Sequence, residues 1–183
     1  MTRATQGDDD KVLAALAMAM VKHPRSNLQE LARATGISKA TLYRFCGTRD
    51  LLVERLTQHA VEALSQSIRD AELDHSPPLE ALKRLAVHTL ENQELMLFLI
   101  YYFRPSTPAE KQAEAEWFTA LDAFFLRGQQ AGVFRIDVSA AAMAELWISM
   151  LIGLHDAERR GRVARLGLPV LLESMFLQGA ART

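Results

Sequence analysis

Apolar positions recur at helical rather than strand spacing along this chain. Val12, Leu13, Leu16, Met20 and Val21 form one stripe and predict a first helix over 8–22. Asp8, Asp9 and Asp10 would fill its first turn, where the helix dipole favours them. Leu28, Leu31 and Ala32 mark a short second helix, ended by Gly36. Ser38 is a good N-cap for a third helix over 39–45. Leu52, Leu56, Ala60, Ala63, Leu64 and Ile68 predict a long helix over 48–73, stopped by His75-Ser76-Pro77-Pro78. Further helices are predicted over 79–89, 92–103, 108–130, 139–160 and 169–179, with Pro108 and Pro169 at favourable first-turn positions. No sustained alternation, hairpin dipeptide or internal repeat competes with them. The expectation is an all-α protein of about nine helices.

The second and third helices lie within residues 26–52, SNLQELARATGISKATLYRFCGTRDLL. Ala32 is small enough to admit a neighbouring helix, and Ile37 would plug the angle of the turn. This is the pattern of a helix-turn-helix, whose second helix enters the DNA major groove. Lys39 can reach a guanine edge or a phosphate, and Thr41 offers a hydroxyl and a methyl. Tyr43 and Arg44 can reach phosphates, with Arg49 a further cation. Spacing alone leaves a solvated, ligand-free helical hairpin equally open.

Residues 32–44, ARATGISKATLYR, resemble the DNA-binding signature of the tetracycline-repressor (TetR) family. Residues 47–52, GTRDLL, resemble that family's lead into its fourth helix. The resemblance implies a helix-turn-helix head at 1–55, built on three helices, and a helical effector-binding and dimerisation domain at 56–183. It implies DNA contacts from Ser26, Asn27, Ser38, Lys39, Ala40, Thr41, Tyr43, Arg44, Phe45 and Arg49. Two features depart from the family pattern. Phe45-Cys46 stands where His-Phe is usual, so an apolar contact, or none, replaces a polar one. The link Lys22-His23-Pro24-Arg25 between the first two helices is also short. Cys46 reads as a small core residue, or as a redox switch beneath the reading helix.

Composition narrows the class further. At 183 residues, 49% apolar, the chain has room for a small DNA-binding domain and a second domain. The net charge of −1 does not itself suggest nucleic acid, but basic residues outnumber acidic ones up to Leu56 and the reverse holds beyond. One cysteine excludes an internal disulfide, and the acidic run Asp8–Asp10 argues against a signal peptide. The longest apolar runs, 95–103 and 140–154, are too interrupted for a membrane span. A soluble, cytoplasmic protein is expected. Nucleophile elbow, phosphate loop and zinc spacing are all absent, so neither an enzyme, a cofactor nor a metal is expected. His88, Glu91 and Glu94 have the spacing of a metal site, but equally that of a solvated helix edge.

The last two helices are apolar on most sides, which suits burial against a second copy in a four-helix bundle. The TetR resemblance implies the same interface. Leu146, Ser149, Met150, Gly153, Leu171 and Met175 are its expected residues, the alternative being closure of the monomer's own core. The resemblance also implies an effector pocket among the fourth to eighth helices. His88, Asn92, Phe98, Tyr101, Tyr102, Trp117, Leu121, Phe124 and Trp147 are its candidate lining, though most also read as ordinary core. The expected protein is a homodimeric, ligand-responsive regulator, most simply a repressor. It would bind a palindromic operator in double-stranded DNA and be released by a small lipophilic or aromatic effector. The alternative is an interaction protein that keeps this fold without reading DNA.

Overall fold

The computed structural model describes residues 3–181, with side chains from residue 10 onward. Among them are nine helices and no strand: α1 (Arg3–Lys22), α2 (Leu28–Thr35), α3 (Lys39–Cys46), α4 (Arg49–Asp70), α5 (Pro78–Glu91), α6 (Gln93–Tyr102), α7 (Pro108–Gln130), α8 (Ala140–Arg159) and α9 (Leu168–Ala180). A single isolated bridge pairs Phe134 with Ala181. None of these helices is long and apolar enough to cross a membrane.

Two boundaries differ from the sequence expectation. Helix α1 begins at Arg3, so Asp8–Asp10 fall beyond its first turn, and the side chains of Asp8 and Asp9 lie outside the described residues. Helix α4 stops at Asp70 rather than near residue 73. Its apolar stripe does not mark that end, and the turn beyond it is held by distant arginines. Arg84 donates to the carbonyl of Ala71 at 3.1 Å, and Arg127 to those of Leu73 and Ser76, both at 2.7 Å. The backbone between them turns through a positive φ of 52° at Glu72. These carbonyls belong to the turn that follows α4, and the guanidinium groups supply partners that no regular element provides there.

The helices divide into two compact units. The first contains the chain up to Ala63 together with Asn92–Arg104, and the second Leu64–Glu91 with everything from Pro105 onward. Helix α4 runs through the boundary. In the first unit α1 packs on α2 and α6, and α2 on α3. Its core includes Leu16, Met20, Leu31, Leu42, Leu52, Leu56 and Phe98, all essentially fully buried. Tyr102 of α6 stacks on Phe98 at 4.8 Å and donates to the carbonyl of Met20 at 3.1 Å.

In the second unit α7 lies on α8, α8 on α9, and α5 on both α7 and α9. An aromatic cluster of Phe124, Phe125, Phe134, Trp147 and Phe176 fills its core. Gly128 makes this packing possible, because a Cβ there would overlap the ring of Phe134.

Candidate nucleic-acid interface

Local chemistry sets both ends of the helix-turn-helix. Asn27 caps α2 reciprocally: its side chain accepts from the Glu30 amide at 3.0 Å, while Glu30 accepts from the Asn27 amide at 2.9 Å. Gly36 ends the helix at φ 72°, where its amide and that of Ile37 close back onto Arg33 and Ala32. Ser38 caps α3 by accepting from the Thr41 amide at 3.0 Å. Leu42 and Cys46 are the buried positions of α3. Lys39, Ala40, Thr41, Tyr43 and Arg44 are exposed.

The predicted contact residues play different roles in this geometry. Lys39 donates from Nζ to Gln29 Oε1 at 3.3 Å and lies 5.6 Å from the Tyr43 ring centroid, which draws its ammonium toward the exposed face. The Ser38 and Thr41 hydroxyls share a hydrogen bond at 2.7 Å. Asn27 is committed to the cap. Ser26 and Arg49 are half-buried and bonded together, since Arg49 donates to the carbonyls of Ser26 at 3.3 Å and Pro24 at 2.8 Å. Arg49 thus braces the short α1–α2 link. Phe45 is half-buried, with the Arg55 guanidinium 4.1 Å from its ring centroid and donating to its carbonyl. Cys46 is buried, donates to the Leu42 carbonyl at 3.2 Å, and burial raises its pKa.

Sequence reasoning missed Gln29 and Arg55. Gln29 carries a weak signal, an exposed amide in the first turn of α2. Arg55 carries none, because only the angle between α3 and α4 brings it to Phe45.

The candidate effector residues fall in both units. Asn92, Phe98, Tyr101 and Tyr102 belong to the first, where Phe98 is buried and Tyr101 exposed. His88, Trp117, Leu121, Phe124 and Trp147 belong to the second. Trp117 is bonded to Ser65 Oγ at 2.8 Å, while Leu121, Phe124 and Trp147 are buried in the core. An open groove of about 530 Å³ on the second unit is lined by Ile68, Leu73, Ala120, Ala123, Phe124 and Arg127, and includes only Phe124 of that set. His88 lies 3.4 Å from Glu91, and among the described residues no acidic, His or Cys cluster is placed to hold a metal.

The two faces of α8 and α9 separate cleanly. Met143, Ala144, Trp147 and Leu151, with Leu168, Leu172 and Phe176, are buried. Leu146, Ser149, Gly153 and Met175 are exposed, whereas Met150 and Leu171 are half-buried.

The chain is 51% identical over 176 residues to the HTH-type transcriptional regulator NfxB of Pseudomonas aeruginosa, covering 94% of each protein. That similarity, together with the fold, decides its family. The chain belongs to the TetR family of transcriptional regulators. No family model matches it. It is also 27% identical over 104 residues to the transcriptional repressor LfrR of Mycolicibacterium smegmatis, covering 57% of this chain and 54% of LfrR. The crystal structure of LfrR with proflavine superposes with a TM-score of 0.67 at 20% identity, over 98% of this chain and 99% of that one. The TetR-family regulator PfmR of Thermus thermophilus superposes at 0.70 and 24% identity, over 93% and 99%. These relatives are regulators, not enzymes, and the TetR fold is all-α with its helix-turn-helix at α2 and α3.

Proposed function

We propose that this TetR-family protein is a cytoplasmic homodimeric repressor that reads a palindromic operator through α3 and is released by a small lipophilic or aromatic effector. The observation that carries the reading is the exposed face of α3. Lys39, Thr41, Tyr43 and Arg44 project from a helix whose opposite side is buried and whose N-terminus is capped by Ser38. Residues 1–55 would form the DNA-reading head and 56–183 the effector-binding and dimerising body. The exposed face of α8 and α9 supports a two-fold dimer, which sets two α3 helices on half-sites roughly 34–36 Å apart or a multiple of that. The groove lined by Ile68, Leu73, Ala120, Ala123 and Phe124 supports an apolar or planar effector, in keeping with proflavine bound to LfrR.

The test is titration calorimetry of operator and candidate effectors, proflavine among them, alone and together. Effector binding should weaken operator binding by about 5–150-fold, with the reciprocal effect of DNA on the effector. Independent binding of the two would remove effector control from the account.

A further inference from the structure

We propose that Arg55 of α4 is a positioning residue for Phe45, and that Phe45 held in this way reads the methyl group of a thymine in the major groove. The inference rests on α3 being the DNA-reading helix, and assigns that helix an apolar reading position with its support. Thr41 and Phe45 are four residues apart on α3 and so share a face. Thr41 is exposed, and Phe45 is half-buried at the edge of the face that carries Leu42 and Cys46 into the core. A phenyl ring there has no hydrogen bond to offer a base or a phosphate. What it can meet in the groove is the C5-methyl of thymine, which apolar side chains contact.

A surface ring reads one base only if its position is fixed. Arg55 grips Phe45 twice. Its guanidinium carbon lies 4.1 Å from the ring centroid and covers one face, and its Nη1 donates to the Phe45 carbonyl. That carbonyl lies in the last turn of α3, where acceptors lack helical partners and a cation opposes the negative end of the dipole. One planar side chain therefore fixes both the end of α3 and the ring it carries. Lysine, a point charge without a planar face, cannot stack and donate in the same way. With its charge engaged on α3, Arg55 is not the phosphate contact its exposed, basic character would suggest.

The test is selection from a randomised operator library by the wild-type protein and by Phe45→Ala, Arg55→Ala and Arg55→Lys. Affinity for the selected site is then measured across salt concentrations. Phe45→Ala and Arg55→Ala should each lose about tenfold of thymine preference at the same operator position, roughly one base contact. Their combined effect should be no larger than either alone. Arg55→Lys should not rescue, and the salt slope of Arg55→Ala should match wild type. Replacing that thymine with deoxyuridine, which lacks only the methyl, should cost the wild type a similar factor and Phe45→Ala nothing. This arm needs no variant of Arg55 to fold. The proposal is overturned if Arg55→Ala weakens all sequences equally, lowers the salt slope by about 0.9 and is rescued by Lys, the signature of a phosphate contact. It is also overturned if deoxyuridine leaves wild-type binding unchanged. Lys39→Ala and Tyr43→Ala report separately on α3: unchanged binding by both would show that the helix does not read DNA at all.

Discussion

Converting Leu146 and Met175 together to Glu should yield a folded monomer that no longer holds an operator. In the isolated subunit Leu146 is 54% and Met175 53% exposed, so about half of each side chain is left for a partner to cover. Full burial of a Leu or Met side chain stabilises by about 1.5–3 kcal/mol, so the uncovered half contributes about 1 kcal/mol. Two such residues on each of two subunits give about 4 kcal/mol per dimer, a factor of roughly a thousand in the dimerisation constant. Glu adds to this loss, because unpaired carboxylates would have to be desolvated at the interface. The monomer itself should barely respond, since substitutions at exposed sites usually change stability by less than about 0.5 kcal/mol. Trp147→Ala, on the inner face of the same helix, is the control and should cost the fold about 3–5 kcal/mol. Sedimentation over a wide concentration range reads the association, and thermal unfolding reads the fold. A double variant that remains dimeric would refute the assignment, as would one that unfolds as readily as Trp147→Ala.

Gly128→Ala should destabilise by about 1–3 kcal/mol, because the Phe134 ring occupies the space a Cβ needs; an unchanged denaturation midpoint would contradict this. The Cys46 thiol, 5% exposed and with its pKa raised by burial, should react with a disulfide reagent only as slowly as the head opens. Rapid stoichiometric reaction of the native protein would restore the redox-switch reading. Asp137 is held at about 2 by its hydrogen bonds from Arg135, below the usual 3.8. A depressed carboxyl stabilises the fold above its unfolded value and loses that contribution as pH falls through the folded one. The melting-temperature gap between wild type and Asp137→Asn should therefore be full above about pH 5 and shrink towards pH 2, and a gap that widens on acidification would refute the pairing.

The elements legible in the sequence are those fixed by neighbours along the chain. Gly36, Ser38 and Pro108 act within a turn of themselves, so the end of α2 and the starts of α3 and α7 could be placed closely, whereas the reciprocal cap of Asn27 with Glu30 went unread and Asn27 was expected on DNA instead. The turn that follows α4 was not legible, because Arg84 and Arg127 reach it from α5 and α7. Nor was the grouping of α6 with α1, whose link from Tyr102 to Met20 spans 82 residues. Within the site, exposed Lys39, Thr41, Tyr43 and Arg44 follow from helical periodicity. That Arg49 braces a loop while Arg55 supports Phe45 does not, because inter-helix angles choose the partner of each arginine. The apolar surround of α8 and α9 announced burial on both sides, yet only packing separates the Trp147 face from the Leu146 face.

Operator reading by α3 is tested by selection of sheared genomic DNA on the purified protein at about physiological salt, followed by sequencing and footprinting. Sequence-specific reading by α3 should recover a shared palindrome, protected on two half-sites one helical turn or a multiple apart, and lost with Lys39→Ala. Recovery of DNA without a common motif, bound only at low salt, would contradict sequence-specific reading by α3 and favour action through a protein partner.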